Sequence, residues 1–162
     1  YRWRRDHQLR QALAMSLQIR ELLPEDKPQW LPLWQGYLTF YETDLAPEIT
    51  DDTWARLMLA SGNIFGLGAV NSAGELIGFT HYLLHGGTWG PGPICYLEDL
   101  FVSEAARGTG AGRALIEALA DKGRISGWQS IYWQTAASNQ TAQHLYDKLA
   151  TRTDWVRYEM EL

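Results

Sequence analysis

Ile94-Cys95-Tyr96-Leu97-Glu98-Asp99-Leu100-Phe101-Val102, followed after four intervening residues by Arg107-Gly108-Thr109-Gly110-Ala111-Gly112-Arg113, is the stretch on which the reading of this chain turns. The first part is apolar on both parities except for two adjacent carboxylates, the pattern of a strand buried on both faces. An unpaired charge in an apolar interior is strongly disfavoured, so Glu98 and Asp99 are expected to be paired, hydrogen-bonded or used. Strict alternation sends them to opposite faces. Beyond the glycines, Ala111, Ala114, Leu115, Ala118 and Leu119 recur at i, i+3, i+4, i+7 and i+8, one face of a helix. The first N–H groups of a helix lack internal partners and the macrodipole is positive there. Gly108, Gly110 and Gly112 therefore frame a site suited to a phosphate anion.

Two familiar phosphate loops do not fit. A Walker A loop needs Lys directly after its last Gly, and Arg113 stands there instead; the dinucleotide fingerprint needs a third Gly where Arg113 or Leu115 falls. The segment resembles the Gln/Arg-x-x-Gly-x-Gly/Ala loop of the GNAT superfamily of acyl-CoA-dependent N-acetyltransferases, with Arg107, Gly110 and Gly112 in the defining positions. Downstream, Asn139, Ala142 and Tyr146 are similar to that superfamily's Asn-x-x-Ala-x-x-x-Tyr helix. Tyr96-Leu97-Glu98-Asp99 followed by an apolar pair resembles the diamine (spermidine/spermine) acetyltransferase branch and its bacterial relatives. The resemblance runs over residues 16–162.

It implies an α/β fold with a mixed, mostly antiparallel central sheet, splayed between the Ile94 strand and the Trp128 strand and flanked by helices. Acetyl-CoA is the implied acyl donor, with no metal. Its pantetheine arm would enter the splay and pair with backbone groups along Leu100, Phe101 and Val102, those of Leu100 and Val102 foremost. Arg107, Gly108, Thr109, Gly110, Ala111, Gly112 and Arg113 would cradle the pyrophosphate, and Asn139 and Ala142 would hold the CoA arm. The Leu100 N–H is the candidate for polarising the thioester carbonyl and stabilising the oxyanion. A primary amine of pKa about 10.4 is protonated at neutral pH and must lose a proton before it attacks. Glu98, on a buried strand that can raise its pKa, is the expected general base, acting through water. Asp99 is expected to point away into the opposite layer. Tyr146 occupies the family's position for the acid that protonates the leaving thiolate. Direct attack in a ternary complex follows, and Cys95 reads as a small core residue rather than a nucleophile.

Composition bounds the rest. With 162 residues, 46% of them hydrophobic and 20% charged, the chain suits one domain with a sizeable core. A single cysteine excludes an internal disulfide, and no paired Cys/His spacing suggests zinc. No apolar run reaches the roughly 18 residues of a membrane span, and the start lacks a signal peptide's apolar core, so a cytoplasmic location is expected. A formal net charge of -5 disfavours nucleic acid and leans toward a cationic partner. Residues 1–14, rich in arginine, read as an extension outside a single domain over 15–162, the alternative being a helix docked on a partner subunit.

In chain order, Leu17 to Arg20 alternates as a first strand. An aromatic helix follows from Pro24, with Pro32 a point of break or kink. Glu42, Asp44, Glu48, Asp51 and Asp52 surround Pro47, ahead of a helix over 50–60. They form either a solvated loop with an N-cap at Thr50 or Asp51, or an acidic rim for a polyamine-like amine. The resemblance places Tyr41 and Glu42 beside the acceptor. Segments 63–70 and 76–84 read as a hairpin whose second strand carries His81 and His85 on one face. His85 and Trp89 flank a Gly/Pro loop over 86–93, which is either an acceptor-side flap or an ordinary connection. Trp128 to Thr135 and Trp155 to Leu162 read as further strands. The expected activity is N-acetylation of a small cationic amine such as a polyamine; the alternatives are a protein lysine, an amino-sugar, or a catalytically silent acyl-CoA sensor. A homodimer is expected.

Overall fold

The computed structural model describes residues 17–162, so the expected extension over 1–14 lies outside the described residues. Five strands form one sheet: β1 (Gln18–Glu21), β2 (Ile64–Val70), β3 (Leu76–His85), β4 (Ile94–Val102) and β5 (Ser130–Tyr132). They lie side by side in chain order, antiparallel up to β4 and parallel between β4 and β5. Helices α1 (Lys27–Phe40) and α2 (Pro47–Leu57) cover one face, and α3 (Ala111–Ser126) the other. Helix α4 (Gln140–Leu149) follows β5.

The aromatic spacing of α1 builds the first core. Trp30, Leu33, Trp34 and Leu38 are buried against Trp54 of α2 and Phe79 of β3, and Trp30 and Trp34 stack with ring centres 5.6 Å apart. The helix runs through Pro32 without ending there. Pro32 lies on the exposed side, where water can satisfy the carbonyl that loses its N–H partner. Gly36 allows this helix to settle on β4, since a Cβ there would stand 2.8 Å from the Phe101 ring. On the other face Leu115, Ile116 and Leu119 of α3 pack against Tyr82, Cys95 and Leu97.

One irregularity decides where the carboxylates go. The β3–β4 register passes from His81 opposite Asp99 to Tyr82 opposite Leu97, leaving Glu98 as an extra residue on β4. Such a bulge interrupts alternation. Cys95 and Leu97 therefore face the α3 layer, whereas Asp99 and Phe101, which unbroken alternation would put on that same face, turn toward α1.

Three expectations need correction. Helix α2 begins at Pro47, which takes the first helical turn, and Thr50 does not cap it; buried, its Oγ1 accepts the Trp34 indole N–H at 3.1 Å. The strand expected over 128–135 narrows to three residues, Ser130–Tyr132. Residues 155–162 form no strand, and Trp155, Val156, Tyr158, Met160 and Leu162 stand exposed. Alternation makes a strand only where a neighbouring edge accepts its hydrogen bonds, and among the described residues none does so for this segment.

Candidate active site

The sheet parts where β5 ends. β5 pairs with Ile94, Cys95 and Tyr96 only, so among the described residues no strand lies beside that edge of β4 from Leu97 to Val102. Which backbone groups face the gap follows from their neighbours. The Asp99 carbonyl accepts the Thr80 hydroxyl at 2.8 Å and the Ser103 N–H donates to the Ile77 carbonyl at 2.9 Å, so residues 99, 101 and 103 turn toward β3. By alternation, Leu100 and Val102 direct their N–H and C=O into the open side.

The glycine turn lies at the end of this edge. Gly108 and Gly110 have φ of 80° and 87°, left-handed values that glycine takes without strain. Gly110 is the N-cap of α3, whose first turn carries neither a side-chain cap nor an acidic residue, leaving the N–H groups of Ala111, Gly112 and Arg113 for a ligand anion. The Thr109 hydroxyl is spent within the turn, donating to the Ala106 carbonyl at 2.6 Å. The Arg107 guanidinium lies over the Phe101 ring, 5.8 Å from its centre, and Arg113 pairs with Glu117 at 2.7 Å.

The adjacent carboxylates differ. Lifted out by the bulge, Glu98 is exposed, while Asp99 is buried. Glu98 is nevertheless held above the ordinary carboxylate range, first because surrounding protein strips water from part of it and then because of the Asp99 charge, with Arg157 acting the other way. Asp99 Oδ2 meets His81 Nδ1 at 2.9 Å, and His81 Nε2 accepts the Trp30 indole N–H at 3.0 Å. The Tyr37 hydroxyl, driven far above its usual pKa by burial, also feels the charges of Asp99 and Glu98. Asp99 thus does not leave the site; its carboxylate is buried under α1 but acts on Glu98, Tyr37 and Tyr41. Opposite, on α4, the Tyr146 hydroxyl is pushed up to about 12 by burial and by Tyr41, so it holds its proton through the neutral range.

A glycine turn ending in an uncapped helix start, an open strand edge, a carboxylate with raised proton affinity and a protonated phenol thus lie along one seam. The model of the acetyltransferase (GNAT) family matches residues 18–150. The chain belongs to the GNAT family. It is an N-acetyltransferase of a family that uses acetyl-CoA as cosubstrate. It is 37% identical over 142 residues to the D-amino-acid N-acetyltransferase HPA3 of Saccharomyces cerevisiae, covering 87% of this chain and 88% of that one. The ribosomal-protein-alanine N-acetyltransferase of Brucella melitensis biovar Abortus 2308 superposes with a TM-score of 0.76 at 25% identity, over 90% of this chain and 99% of that one. An aminoglycoside acetyltransferase from an uncultured soil metagenomic sample, in complex with sisomicin, has a TM-score of 0.78 at 17% identity, over 93% and 99%. The mixed sheet with flanking helices is the GNAT fold. The diamine branch is not what these relatives represent, since the one at 37% identity is a D-amino-acid enzyme.

Within this GNAT chain the remaining predicted residues are placed unevenly. Tyr41, at the end of α1, feels Asp99 and acts on Tyr146, so it spans the seam. Glu42 is exposed beside it, with a left-handed φ of 52°. His85 reaches β5, its Nε2 2.9 Å from the Tyr132 hydroxyl, while Tyr132 stacks on Tyr96 at 4.9 Å. Trp89 is 92% exposed in a loop whose Gly90 carbonyl accepts the Gln129 amide, and nothing brings its ring to the carboxylates. The Asn139 oxygen caps α4 by accepting the Ala142 N–H at 3.2 Å. Cys95 is fully buried and its thiol pushed up to about 12, consistent with an inert core residue. His81 and His85 keep one face of β3, since the extra residue of the bulge lies on β4, but they differ in burial: His81 is buried under α1, whereas His85 is exposed at the end of the strand.

Sequence reasoning missed Tyr37 and Arg157 and weighed His81 only as a metal ligand. The signal available for His81 was a histidine on a strand otherwise suited to burial, next to a strand that carries an equally misplaced Asp99. No sequence signal marked Arg157, which reaches Tyr96 and Glu98 from the segment after α4.

Proposed function

We propose that the protein transfers an acetyl group from acetyl-CoA to the primary amine of a small acceptor, an amino acid being the leading candidate. The observation that carries the chemistry is the pairing across the seam. Glu98, with its raised proton affinity, is suited to take a proton from the acceptor ammonium; Tyr146, protonated up to about 12, is suited to give one to the departing thiol. Between them the Leu100 N–H faces the open edge as a donor toward the oxygen on which charge develops. Acetyl-CoA fits the residues present: Arg107 to Arg113 would take its phosphates on the α3 N-terminus, and the Leu100 and Val102 backbone its amides. Asn139 would serve by fixing the start of α4 rather than by touching the donor.

Three things favour an amino acid over the polyamine expected from the sequence. The relative at 37% identity is a D-amino-acid enzyme. The acidic rim is partly neutralised within the chain, Asp51 pairing with Lys27 at 3.1 Å and Asp52 with Arg56 at 2.7 Å. Arg157 adds a positive charge near Glu98, which repels a polycation and suits a carboxylate. Free CoA release from acetyl-CoA is the test, measured against D- and L-amino acids, spermidine, putrescine, amino-sugars and a lysine-rich peptide. Turnover on amino acids is the expected result. Turnover confined to polyamines restores the rim formed by Glu42 and its neighbours, and acetyl-CoA binding with no turnover leaves a sensor.

A homodimer is part of this reading. Its support is the exposed, alternating segment from Trp155 to Leu162 together with the free edge of β5, both of which a second copy would cover. Light scattering should give twice the chain mass, and a monomeric mass would refute it.

A further inference from the structure

The hydrogen bonds around His81 fix its protons without reference to its titration. An indole N–H only donates, so the His81 Nε2 that meets Trp30 at 3.0 Å carries no proton. The remaining proton sits on Nδ1 and is donated to Asp99 Oδ2 at 2.9 Å. The His81–Asp99 contact is therefore a hydrogen bond from a neutral imidazole, not an ion pair, and it leaves the negative charge of Asp99 uncancelled. Among the described residues, Thr80 holds the backbone carbonyl of Asp99, Tyr37 and Tyr41 near α1 feel its charge, and Glu98 is its neighbour on β4. Around Glu98 the charged and titratable groups are Asp99, Arg157, Tyr96 and Tyr37. A carboxylate that is buried, fixed by a neutral donor and one residue from the bulged Glu98 has an obvious target for its field.

We propose that the Trp30–His81–Asp99 chain makes Asp99 a positioning residue of the transfer, a fixed negative charge held beside the bulged Glu98. The inference rests on the reading of Glu98 as the base. Trp30 dictates the imidazole tautomer, His81 passes that constraint to Asp99, and Asp99 acts through Glu98. The proton released by the acceptor ammonium goes to the Glu98 carboxylate; Asp99 and His81 keep theirs unchanged. Burial of the chain in the Trp30, Trp34 and Phe79 core holds most of it away from solvent, so salt screens the charge less than it would at the surface.

Asp99→Asn is the decisive variant, because the amide oxygen can still accept from His81 while the charge is gone. Carboxyl-carbon NMR titration of Glu98 reads the effect without any turnover: the midpoint should fall by about one pH unit. The acidic limb of the kcat/KM profile should move to lower pH by the same amount, because Glu98 then loses its proton in more acidic solution. Imidazole-nitrogen NMR of the wild type at neutral pH should show the proton on Nδ1 of His81 and none on Nε2. Trp30→Phe should release that constraint and bring a proton onto Nε2 in part of the molecules. An unmoved Glu98 midpoint in Asp99→Asn, or a proton on Nε2 in the wild type, overturns the proposal. A wild type that turns over no amine defeats the reading of Glu98 as a base, while the NMR midpoint still decides whether Asp99 governs it.

Discussion

The two sides of the seam are built differently. Glu98 stands on a nine-residue strand paired along β3, backed by a stacked tryptophan layer and the His81–Asp99 hydrogen bond. Tyr146 stands on a ten-residue helix with no buried residue, beside a three-residue strand. Tyr146 still packs its ring edge-on against Trp133, with centres 5.4 Å apart. In the proposed mechanism, fixed geometry surrounds Glu98, the group whose proton affinity has to be tuned, since a field acts only from a defined position. Tyr146, which in the same mechanism only has to keep its proton, needs little more than partial burial, which a lightly packed helix supplies.

This difference can be broken first at Glu98. Glu98→Gln should lower kcat about 100- to 1000-fold while acetyl-CoA affinity, read by calorimetry, stays within about twofold; unchanged turnover would remove Glu98 from its role. Tyr146→Phe should lower kcat less, about 10- to 100-fold, because water at the open side can supply a proton. A loss as large as that of Glu98→Gln would show that the loosely built side is as demanding as the other.

Two stability measurements sharpen the contrast. Gly36→Ala should destabilise the fold by about 2 kcal/mol in urea unfolding, since the new Cβ meets the Phe101 ring at 2.8 Å. Arg20→Ala, away from the seam, should cost about 1.5 kcal/mol. Arg20 donates to both oxygens of Asp26, at 2.7 and 2.9 Å, and these bonds hold the Asp26 carboxyl below the ordinary range. A carboxyl whose folded pKa is depressed stabilises fully above its unfolded value and loses that contribution as pH falls through the folded one. The gap in Tm between wild type and Arg20→Ala should therefore be full at neutral pH and close in acid. A gap independent of pH would mean that Arg20 acts by packing alone.

How much was legible in the sequence varies with the range of the interaction. The glycine turn was readable because left-handed backbone at Gly108 and Gly110 is a local demand that few residues meet. The α3 face and the Trp30–Leu38 stripe were readable because helical spacing repeats over many residues. Glu98 was singled out correctly as a carboxylate out of place, but its exposure was not foreseen. A bulge is a property of two strands in register, and β4 alone does not reveal which of its residues is the extra one. The same blindness sent Asp99 to the wrong layer. The segment from Trp155 to Leu162 shows the opposite error, since alternation states a capacity to pair and not the presence of a partner.

By itself, the sequence determined the helix faces, the left-handed glycine turn and the order of motifs that marks the GNAT family, all of which depend on residues within a few turns of one another. Tertiary structure alone decided that β4 loses its neighbour after Tyr96, that Asp99 lies under α1 with His81 and Trp30, and that Tyr41 stands between Asp99 and Tyr146. The physical reason is that register, burial and the field at a titrating group are set by residues far apart in the chain. Trp30 and His81, 51 positions apart, meet at 3.0 Å only once helix and sheet have packed.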